Sequence, residues 1–351
     1  MRLSRFYENF MHYFCLINIK LMKLKNIVVF ITVLTILSGC KSEEKETNFT
    51  LKGHVFGTTY KITYLNANEN YQNSLDSLFL LVNKSTSTYI STSDISKINK
   101  GDTTVIVDEI FSEVFKKSKR IYKETDGYFD PTVGNLVNAY GFGPKNERKN
   151  LTENEIKEHM LFVGLDKISI KKGKVVKEDP KVYLDFNSIA KGFAIDVVAR
   201  FFDAKKVNNY LIEIGGEIRA KGAKKEGFPW LIKLVDPVKS EDNSGYKTIN
   251  LSNKSMATSG NYRKFRVSDE GKKYVHTINP KTGYATESNL LSASVIANKD
   301  CADVDAYATA FMAMGLEKTK EFLTKHPDLM VILLFSSEEG SLQEYATYTS
   351  K

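Results

Sequence analysis

Lys191 is the residue whose position in the sequence first suggests chemistry. It lies in the run LDFNSIAKGFAID, residues 184–196, where the spacing predicts the first turn of a helix. A helix dipole disfavours a cation in that turn, so a lysine there indicates an anion to bind. A phosphate would meet the free backbone N–H groups and the ammonium together. The same residues are also typical of an ordinary strand-to-helix turn with a solvated lysine, and the spacing does not separate the two interpretations.

Asp305 and Thr309 form a second candidate group. They are four residues apart in a stretch, Asp303 to Met314, whose pattern predicts a helix, so both side chains face the same way. A carboxylate and a hydroxyl are hard oxygen ligands, which suit Mg²⁺ better than zinc. The structural alternative is that an aspartate near a helix N-terminus balances the dipole, while the threonine bonds the carbonyl four residues earlier.

His276 is a candidate general base. It is one of five histidines and lies in a predicted strand that begins at Tyr274 and runs into the turn Asn279 to Gly283. A histidine takes up a proton near neutral pH, but a histidine in a strand beside a turn is also common as a structural residue. The chain has no GxGxxG, Walker, HExxH or GxSxG motif, so the usual signatures of dinucleotide and phosphate loops, zinc proteases and serine hydrolases are absent.

The predicted elements that position these residues mix strands and helices without a regular βαβ rhythm. This predicts an α+β fold in one large two-lobed domain. Val182 to Phe186 alternates as a strand does, and Asn187 or Ser188 is the expected N-cap of the helix that follows. The other predictions are a hairpin in Leu51 to Tyr64 around Phe56-Gly57-Thr58; helices at Asn73 to Asn83, Val107 to Lys123, Glu153 to Met160 and Leu316 to Thr324; strands in Tyr210 to Ala220, Trp230 to Val235 and Leu291 to Ile296; a turn at Ser255 to Gly260; and a closing hairpin in Met330 to Tyr348.

The composition excludes some classes of protein. Hydrophobic and charged fractions of 42% and 26% are ordinary for a globular protein of 351 residues. Half of the formal net charge of +8 lies in residues 1–39, and no basic run with interleaved aromatic residues follows, so we expect no nucleic-acid partner. With three cysteines, of which Cys301 stands alone in the body of the chain, neither a disulfide framework nor a CxxC metal pair is predicted.

The N-terminal residues have the pattern of an exported lipoprotein. From Met22, lysines precede an apolar run that is too short for a membrane span and typical of a signal peptide. The run ends in Leu37-Ser38-Gly39-Cys40, which is similar to a bacterial lipobox, so Cys40 is the predicted lipidation site. We therefore expect residues 1–39 to be removed, with Met22 as the true start, residues 40–50 to be a charged, disordered tether, and residues 51–351 to be the catalytic domain.

An ordered series of motifs resembles the ApbE family of FAD:protein FMN transferases. These motifs are FGTTY at Phe56 to Tyr60, STSTYISTSDISKIN at Ser85 to Asn99, GYFDPTVGNLV at Gly127 to Val137, YGFG at Tyr140 to Gly143, DFNSIAKGFAID at Asp185 to Asp196, IGGEIRAKG at Ile214 to Gly222, ATSGNY at Ala257 to Tyr262, HTINPKTG at His276 to Gly283 and VDAYATAFMAMG at Val304 to Gly315. No single motif is specific to the family, whereas their order is.

The resemblance implies an activity and a location. A member of this family binds FAD, cleaves its pyrophosphate with Mg²⁺ and transfers FMN to a threonine hydroxyl of an acceptor flavoprotein, with release of AMP. The implied acceptors are subunits of membrane redox complexes, and the implied location is the periplasmic face of the cell envelope. Because the pyrophosphate of FAD is negatively charged and AMP is the leaving group, a metal and a lysine suit the charge that develops.

The resemblance also implies roles for individual residues. By position within the motifs, the metal ligands are Asp305, Thr309 and the carbonyl of Ser188, and the base is His276 with Lys191 as a second catalytic residue. The implied FAD-binding residues are Phe56, Gly57, Thr58, Tyr89, Phe129, Asp130, Asp185, Lys191 and Ile278. The chain departs mildly from the family pattern at Phe56, where methionine is usual, at Asn187, where glycine or serine is more common, and at Asn279, where aspartate is usual.

Two other functions remain open from the sequence. An FAD pyrophosphatase would need the same site, with water in place of the threonine. A lipoprotein that only binds flavin is the non-enzymatic alternative. A protein that only stores flavin, however, does not need a metal beside the pyrophosphate. The sequence does not identify the acceptor protein.

Overall fold

In the part of the chain that the structure describes, eight antiparallel strands form a central sheet. The structure is a computed structural model, and it describes residues 47–144, 150–224, 227–238, 245–261, 265–267, 273–285 and 288–348. The strands are β1 Thr47–Val55, β2 Thr58–Ala67, β3 Ile168–Lys171, β4 Lys174–Lys177, β5 Asn209–Ile214, β6 Glu217–Lys221, β7 Trp230–Val235, β8 Gly245–Leu251, β9 Lys254–Gly260, β10 Phe265–Val267, β11 Lys273–Val275, β12 Leu290–Ala297, β13 Met330–Ser336 and β14 Leu342–Ala346. The order of strands in the central sheet is β1-β2-β5-β6-β9-β12-β13-β14, and smaller two-stranded sheets pair β3 with β4, β7 with β8 and β10 with β11.

The long helices pack on one face of this sheet, whereas the helices at residues 134–139 and 153–160 share a separate apolar cluster. The helices are α1 Gln72–Thr86, α2 Asp94–Asn99, α3 Glu109–Glu124, α4 Gly134–Ala139, α5 Glu153–Met160, α6 Ala190–Ala204, α7 Cys301–Met314 and α8 Leu316–Thr324, with short 3₁₀ turns at Pro131–Val133 and Leu165–Lys167. The mixture of helices with an antiparallel sheet confirms the α+β prediction. Among the described residues, no helix is long and apolar enough to span a membrane.

Side chains of β13 show that both faces of the sheet are buried. Val331 and Leu333 belong to the core on the helical side, whereas Ile332 and Leu334 pack in a second cluster that includes Trp230 of the β7–β8 hairpin. Successive side chains of a strand point to opposite faces, so a strand covered on both sides is apolar at every position. This explains the continuous apolar sequence of β13.

Helices α6 and α7 hold each other through backbone hydrogen bonds. The N–H of Gly192 donates to Oδ2 of Asp305 at 3.1 Å, and the carboxylate of Asp196 accepts from the N–H groups of Cys301 and Ala302 at 2.7 and 2.9 Å. In each case a carboxylate satisfies N–H groups in the first turn of the partner helix, where unpaired donors and the positive end of the dipole meet. The position of Asp305 is therefore fixed by α6.

Gly192 allows this close approach. A Cβ at that position would lie 2.5 Å from the carbonyl oxygen of Cys301 and 2.8 Å from Cα of Ala302. We expect Gly192→Ala to lower the free energy of unfolding by about 1–3 kcal/mol, the usual cost of overpacking. Urea unfolding monitored by circular dichroism measures this, with the exposed Ser77→Ala in α1 as the control. Equal midpoints for the two variants would contradict the close-packing argument.

The local predictions near the site are only partly confirmed. The hairpin turn lies at Phe56 and Gly57, with φ of 52° and 73°, as predicted. Residues 182–186 are extended but form no strand, because the side chain of Asn99 pairs with the backbone of Leu184 in place of a neighbouring strand. The helix begins at Ala190, and its N-cap is Ile189 with no side-chain cap, so the prediction of Asn187 or Ser188 as N-cap is wrong.

Two further boundaries differ from the sequence analysis. Residues 255–260, predicted as a turn, belong to strand β9, which pairs with β6 and β12. The small polar side chains resemble a turn in composition, but they form contacts within the sheet, such as Thr258 Oγ1 to Ser294 Oγ at 2.8 Å. Strand β1 begins at Thr47, inside the segment assigned to the tether, and Cys40 and the predicted signal peptide lie outside the described residues.

Candidate functional site

A cavity of about 380 Å³ opens at one edge of the main sheet. Its walls come from the β1–β2 turn, the β5–β6 turn, the end of β9, the segment after β11 and the cavity-facing side of α7. The turns meet because an antiparallel sheet places alternate turns at the same end of its strands. Residues distant in sequence are thereby gathered around one space.

Every residue that the sequence analysis proposed for catalysis, metal binding or FAD binding lines this cavity. They are Phe56, Gly57, Thr58, Tyr89, Phe129, Asp130, Asp185, Ser188, Lys191, His276, Ile278, Asp305 and Thr309. The structure thus brings the candidates together, while their individual roles stay predictions.

The predicted metal ligands lie on two elements that meet at the cavity. Asp305 and Thr309 share one face of α7, and Ser188 belongs to the turn before α6. Oδ2 of Asp305 accepts the Gly192 N–H, which leaves Oδ1 without a hydrogen bond among the described residues. The hydroxyl of Thr309 lies 3.3 Å from that of Ser259. A carboxylate, a hydroxyl and a carbonyl give the hard oxygen donors that Mg²⁺ takes.

Lys191 has a different environment from the one expected. It does lie in the first turn of α6, but its Nζ is 3.2 Å from Oε1 of Glu217 and 4.0 Å from Oδ2 of Asp305. Three backbone N–H groups at this helix end already have acceptors. Those of Ala190 and Phe193 donate to the carbonyls of Phe186 and Ile189, and that of Gly192 donates to the carboxylate of Asp305. They are therefore not available to bind a phosphate. The lysine interacts first with carboxylates of the protein.

Glu217 is the site residue that the sequence analysis missed. It is the first residue of β6, directly after the Gly215-Gly216 turn, and its side chain is 5% exposed. Its Oε2 is buried and has no hydrogen-bond partner in the part of the chain that the structure describes. Burial raises the pKa of Glu217, and the ammonium of Lys191 acts against this by lowering it. In the sequence, a glutamate at the start of a strand, inside the run IGGEIRA, gives no signal that separates it from a solvated residue.

The charge of this group favours binding of a cation. Lys191, Glu217 and Asp305 carry one positive and two negative charges when ionised. Burial raises the pKa of Asp305, as it does that of Glu217, while burial of Lys191 is outweighed by the two carboxylates, which raise its pKa. When all three are ionised, the group has a net charge of −1 and lacks a positive charge to balance its second carboxylate. A divalent cation would supply that charge.

The available donors agree with magnesium better than with a transition metal. No group of three or more His, Cys, Asp or Glu that could hold a metal ion occurs among the residues with described positions. The set of Asp305, Thr309 and the Ser188 carbonyl needs no such group, because Mg²⁺ keeps several waters and takes one or two carboxylates with substrate phosphates. The residues present therefore fit Mg²⁺.

His276 lines the cavity and lies directly after strand β11, not within a strand as predicted. The residues that follow it are anchored: the Thr277 hydroxyl donates to Oδ1 of Asn261 at 2.9 Å, and Ile278 forms a bridge with Ala285. This fixed backbone presents the imidazole to the cavity, as a general base requires.

The aromatic and acidic residues proposed to contact FAD differ in exposure. Tyr89 is 58% exposed, whereas Phe129 is 1% exposed and belongs to the main core, so Tyr89 offers the more accessible ring for stacking. Asp130 and Asp185 are buried, and burial raises the pKa of each to about 6. Both also hold local backbone: Asp130 accepts from the N–H of Thr132 and Asp185 from that of Asn187, each at 2.8 Å.

Comparisons with known proteins agree with this arrangement. The ApbE family model matches residues 56–333. The FAD:protein FMN transferase of Haemophilus influenzae is 34% identical over 91% of this chain and 94% of its own length, and that of Vibrio cholerae is 32% identical over 93% and 98%.

Solved structures give the same result. The flavin transferase ApbE from Vibrio cholerae superposes with a TM-score of 0.76 at 32% identity, covering 86% of this chain and 97% of that one. The apo form of the Pseudomonas stutzeri flavinyl transferase ApbE gives 0.77 at 27% identity, covering 86% and 95%. The family model alone spans well over half of the sequence. This chain belongs to the ApbE family.

Proposed function

We propose that this protein is an FAD:protein FMN transferase that uses Mg²⁺ and a threonine of an acceptor protein. The observation that carries the proposal is the cavity itself. The negatively charged group around Asp305, the histidine His276 and the exposed ring of Tyr89 all line it. Relatives at 32–34% identity over most of the chain are named for this activity. Neither hydrolysis of FAD nor flavin storage has comparable support.

The reaction assigns a task to each group. The threonine oxygen of the acceptor attacks the FMN phosphorus, the bond from that phosphorus to the bridging oxygen breaks, and AMP leaves with the bonding electrons. His276 takes the hydroxyl proton, which makes the weak nucleophile competent. Asp305, Thr309 and the Ser188 carbonyl would hold Mg²⁺, which neutralises negative charge on the pyrophosphate. Tyr89 provides a face for an aromatic ring of FAD.

One experiment separates the three functions. The full chain is incubated with FAD, Mg²⁺ and a candidate acceptor, and the products are analysed by mass spectrometry. An acceptor peptide with a threonine-linked FMN, together with equal AMP, is the expected result. FMN and AMP in solution without an adduct would indicate a pyrophosphatase, and unchanged FAD would indicate a binding protein.

We also propose that the protein is lipid-anchored through Cys40 and faces the periplasm, where it would meet acceptor subunits of membrane redox complexes. The LSGC sequence and the polar residues after it support this. Cys40→Ala is expected to move the protein from the membrane fraction to the soluble fraction, while FMN transfer by the purified protein stays unchanged. Fractionation in high salt with immunoblotting measures this. A Cys40→Ala protein that stays with the membranes would contradict the lipid anchor.

A further inference from the structure

The ammonium of Lys191 lies closer to the carboxylate of Glu217 than to that of Asp305. Nζ of Lys191 is 3.2 Å from Oε1 of Glu217, an ion-pair distance, but 4.0 Å from Oδ2 of Asp305, which is beyond a hydrogen bond. The ammonium therefore lies between two carboxylates and is held by one of them. Among the residues that the structure describes, the Gly192 N–H is the one hydrogen-bond donor to Asp305, so Oδ1 remains available for a further partner.

The backbone around Glu217 fixes this arrangement. A Cβ at Gly215 would lie 3.3 Å from Oε2 of Glu217 and 2.8 Å from Cγ2 of Thr58, and Gly215 has a φ of 65°. The space beside the carboxylate thus exists because the turn has a glycine there. Since Glu217 is also 5% exposed, its side chain has little freedom to leave the lysine.

We propose that Glu217 is a positioning residue that holds the ammonium of Lys191 away from Asp305, so that Asp305 stays free to bind a divalent cation. Without this restraint the flexible lysine side chain would close the remaining gap and form a charge-assisted hydrogen bond with Asp305. A cation would then have to displace the lysine and would also be repelled by it. The inference rests on the proposed function, because it assumes that Asp305 is a metal ligand.

The decisive variant is Glu217→Asp, which keeps the negative charge but shortens the side chain by one methylene. The shorter carboxylate no longer reaches the ammonium of Lys191, which can then bond Asp305 and compete with the cation. The affinity for Mg²⁺ is therefore expected to fall at least about fivefold. In a Lys191→Met background there is no ammonium to restrain, and Glu217→Asp is expected to change the affinity less than about twofold. This double-mutant cycle isolates the coupling between the two residues.

The measurement is Mg²⁺ binding to the purified full chain by calorimetry, without FAD or acceptor, so it does not depend on transferase activity. Lys221→Met, which removes a lysine paired with Asp203 at 2.9 Å and does not line the cavity, is the control for loss of a lysine on the same sheet. Thermal melting verifies that each variant is folded. If Glu217→Asp alone does not fold, Glu217→Gln replaces it in the same cycle. It keeps the side-chain length but removes the charge that holds the ammonium, so the Mg²⁺ affinity is expected to fall more with Lys191 present than in the Lys191→Met background.

Three outcomes would overturn the positioning role. Wild-type Mg²⁺ affinity in Glu217→Asp would mean that only the charge of Glu217 matters. An equal loss in both backgrounds would mean that Glu217 acts on the cation directly. Absence of Mg²⁺ binding by the wild type would remove the premise. Failure of FMN transfer with the cycle intact would instead contradict the proposed function and leave the positioning role standing.

Discussion

Replacing Asp305 by alanine is expected to abolish both FMN transfer to the acceptor and any hydrolysis of FAD. Asp305 is 2% exposed at the cavity wall and is the one carboxylate among the predicted metal ligands. Loss of the charge stabilisation that a bound cation gives to a pyrophosphate amounts to several kcal/mol, so a fall of about a thousandfold or more is expected in both reactions. Rates are measured by FMN-adduct formation and by AMP release at saturating FAD.

Two matched variants separate this effect from damage to the fold. Asp305→Asn keeps the shape and the acceptor for the Gly192 N–H, and it is expected to lose transfer nearly as fully as alanine, because the charge is gone. Asp303→Asn changes a neighbouring aspartate of α7 that pairs with Arg120 at 2.6 Å and does not line the cavity. It is expected to lower thermal stability with little change in transfer. Transfer by Asp305→Ala at the wild-type rate would refute the metal assignment.

The spacing of apolar residues correctly predicted helices that bury one face against the rest of the protein. The helix Glu153–Met160 begins as predicted because Thr152 and Glu155 form a capping box. The helix Leu316–Thr324 has the predicted bounds because Gly315 separates it from α7 and its buried residues share one face. The segment 182–186 has the alternation of a strand but pairs with a side chain of α2 instead of a strand. Alternation reports which residues are buried and does not identify the partner of the backbone.

The order of the motifs predicted which residues form the candidate site, but not which of them contact each other. The resemblance supplied residues that all line the cavity, yet it gave no reason to expect that Lys191 would contact Glu217 before any phosphate. A glutamate at the start of a strand has the sequence pattern of a solvated residue. Only the folded chain shows that the β5–β6 turn and the first turn of α6 enclose it, so its role depends on a tertiary contact that local patterns do not encode.

His276→Ala is expected to separate binding from proton transfer. The variant should bind FAD and Mg²⁺ as the wild type does, because His276 belongs to neither the carboxylate group around Lys191 nor the predicted ligands on α7. It should transfer FMN at least about a hundredfold more slowly, the usual scale for loss of a general base. FAD binding is measured by quenching of flavin fluorescence, Mg²⁺ binding by calorimetry, and transfer by formation of the FMN adduct.

The same variant distinguishes base catalysis from metal binding through its response to Mg²⁺. Raising the Mg²⁺ concentration is expected to restore part of the activity of Thr309→Ala, which keeps the carboxylate of Asp305, but none of that of His276→Ala, whose missing group accepts a proton. His54→Ala, on strand β1 and outside the cavity lining, serves as the histidine control and should transfer normally. Wild-type transfer by His276→Ala would place the base elsewhere, and a loss of FAD affinity equal to the loss of rate would make His276 a binding residue.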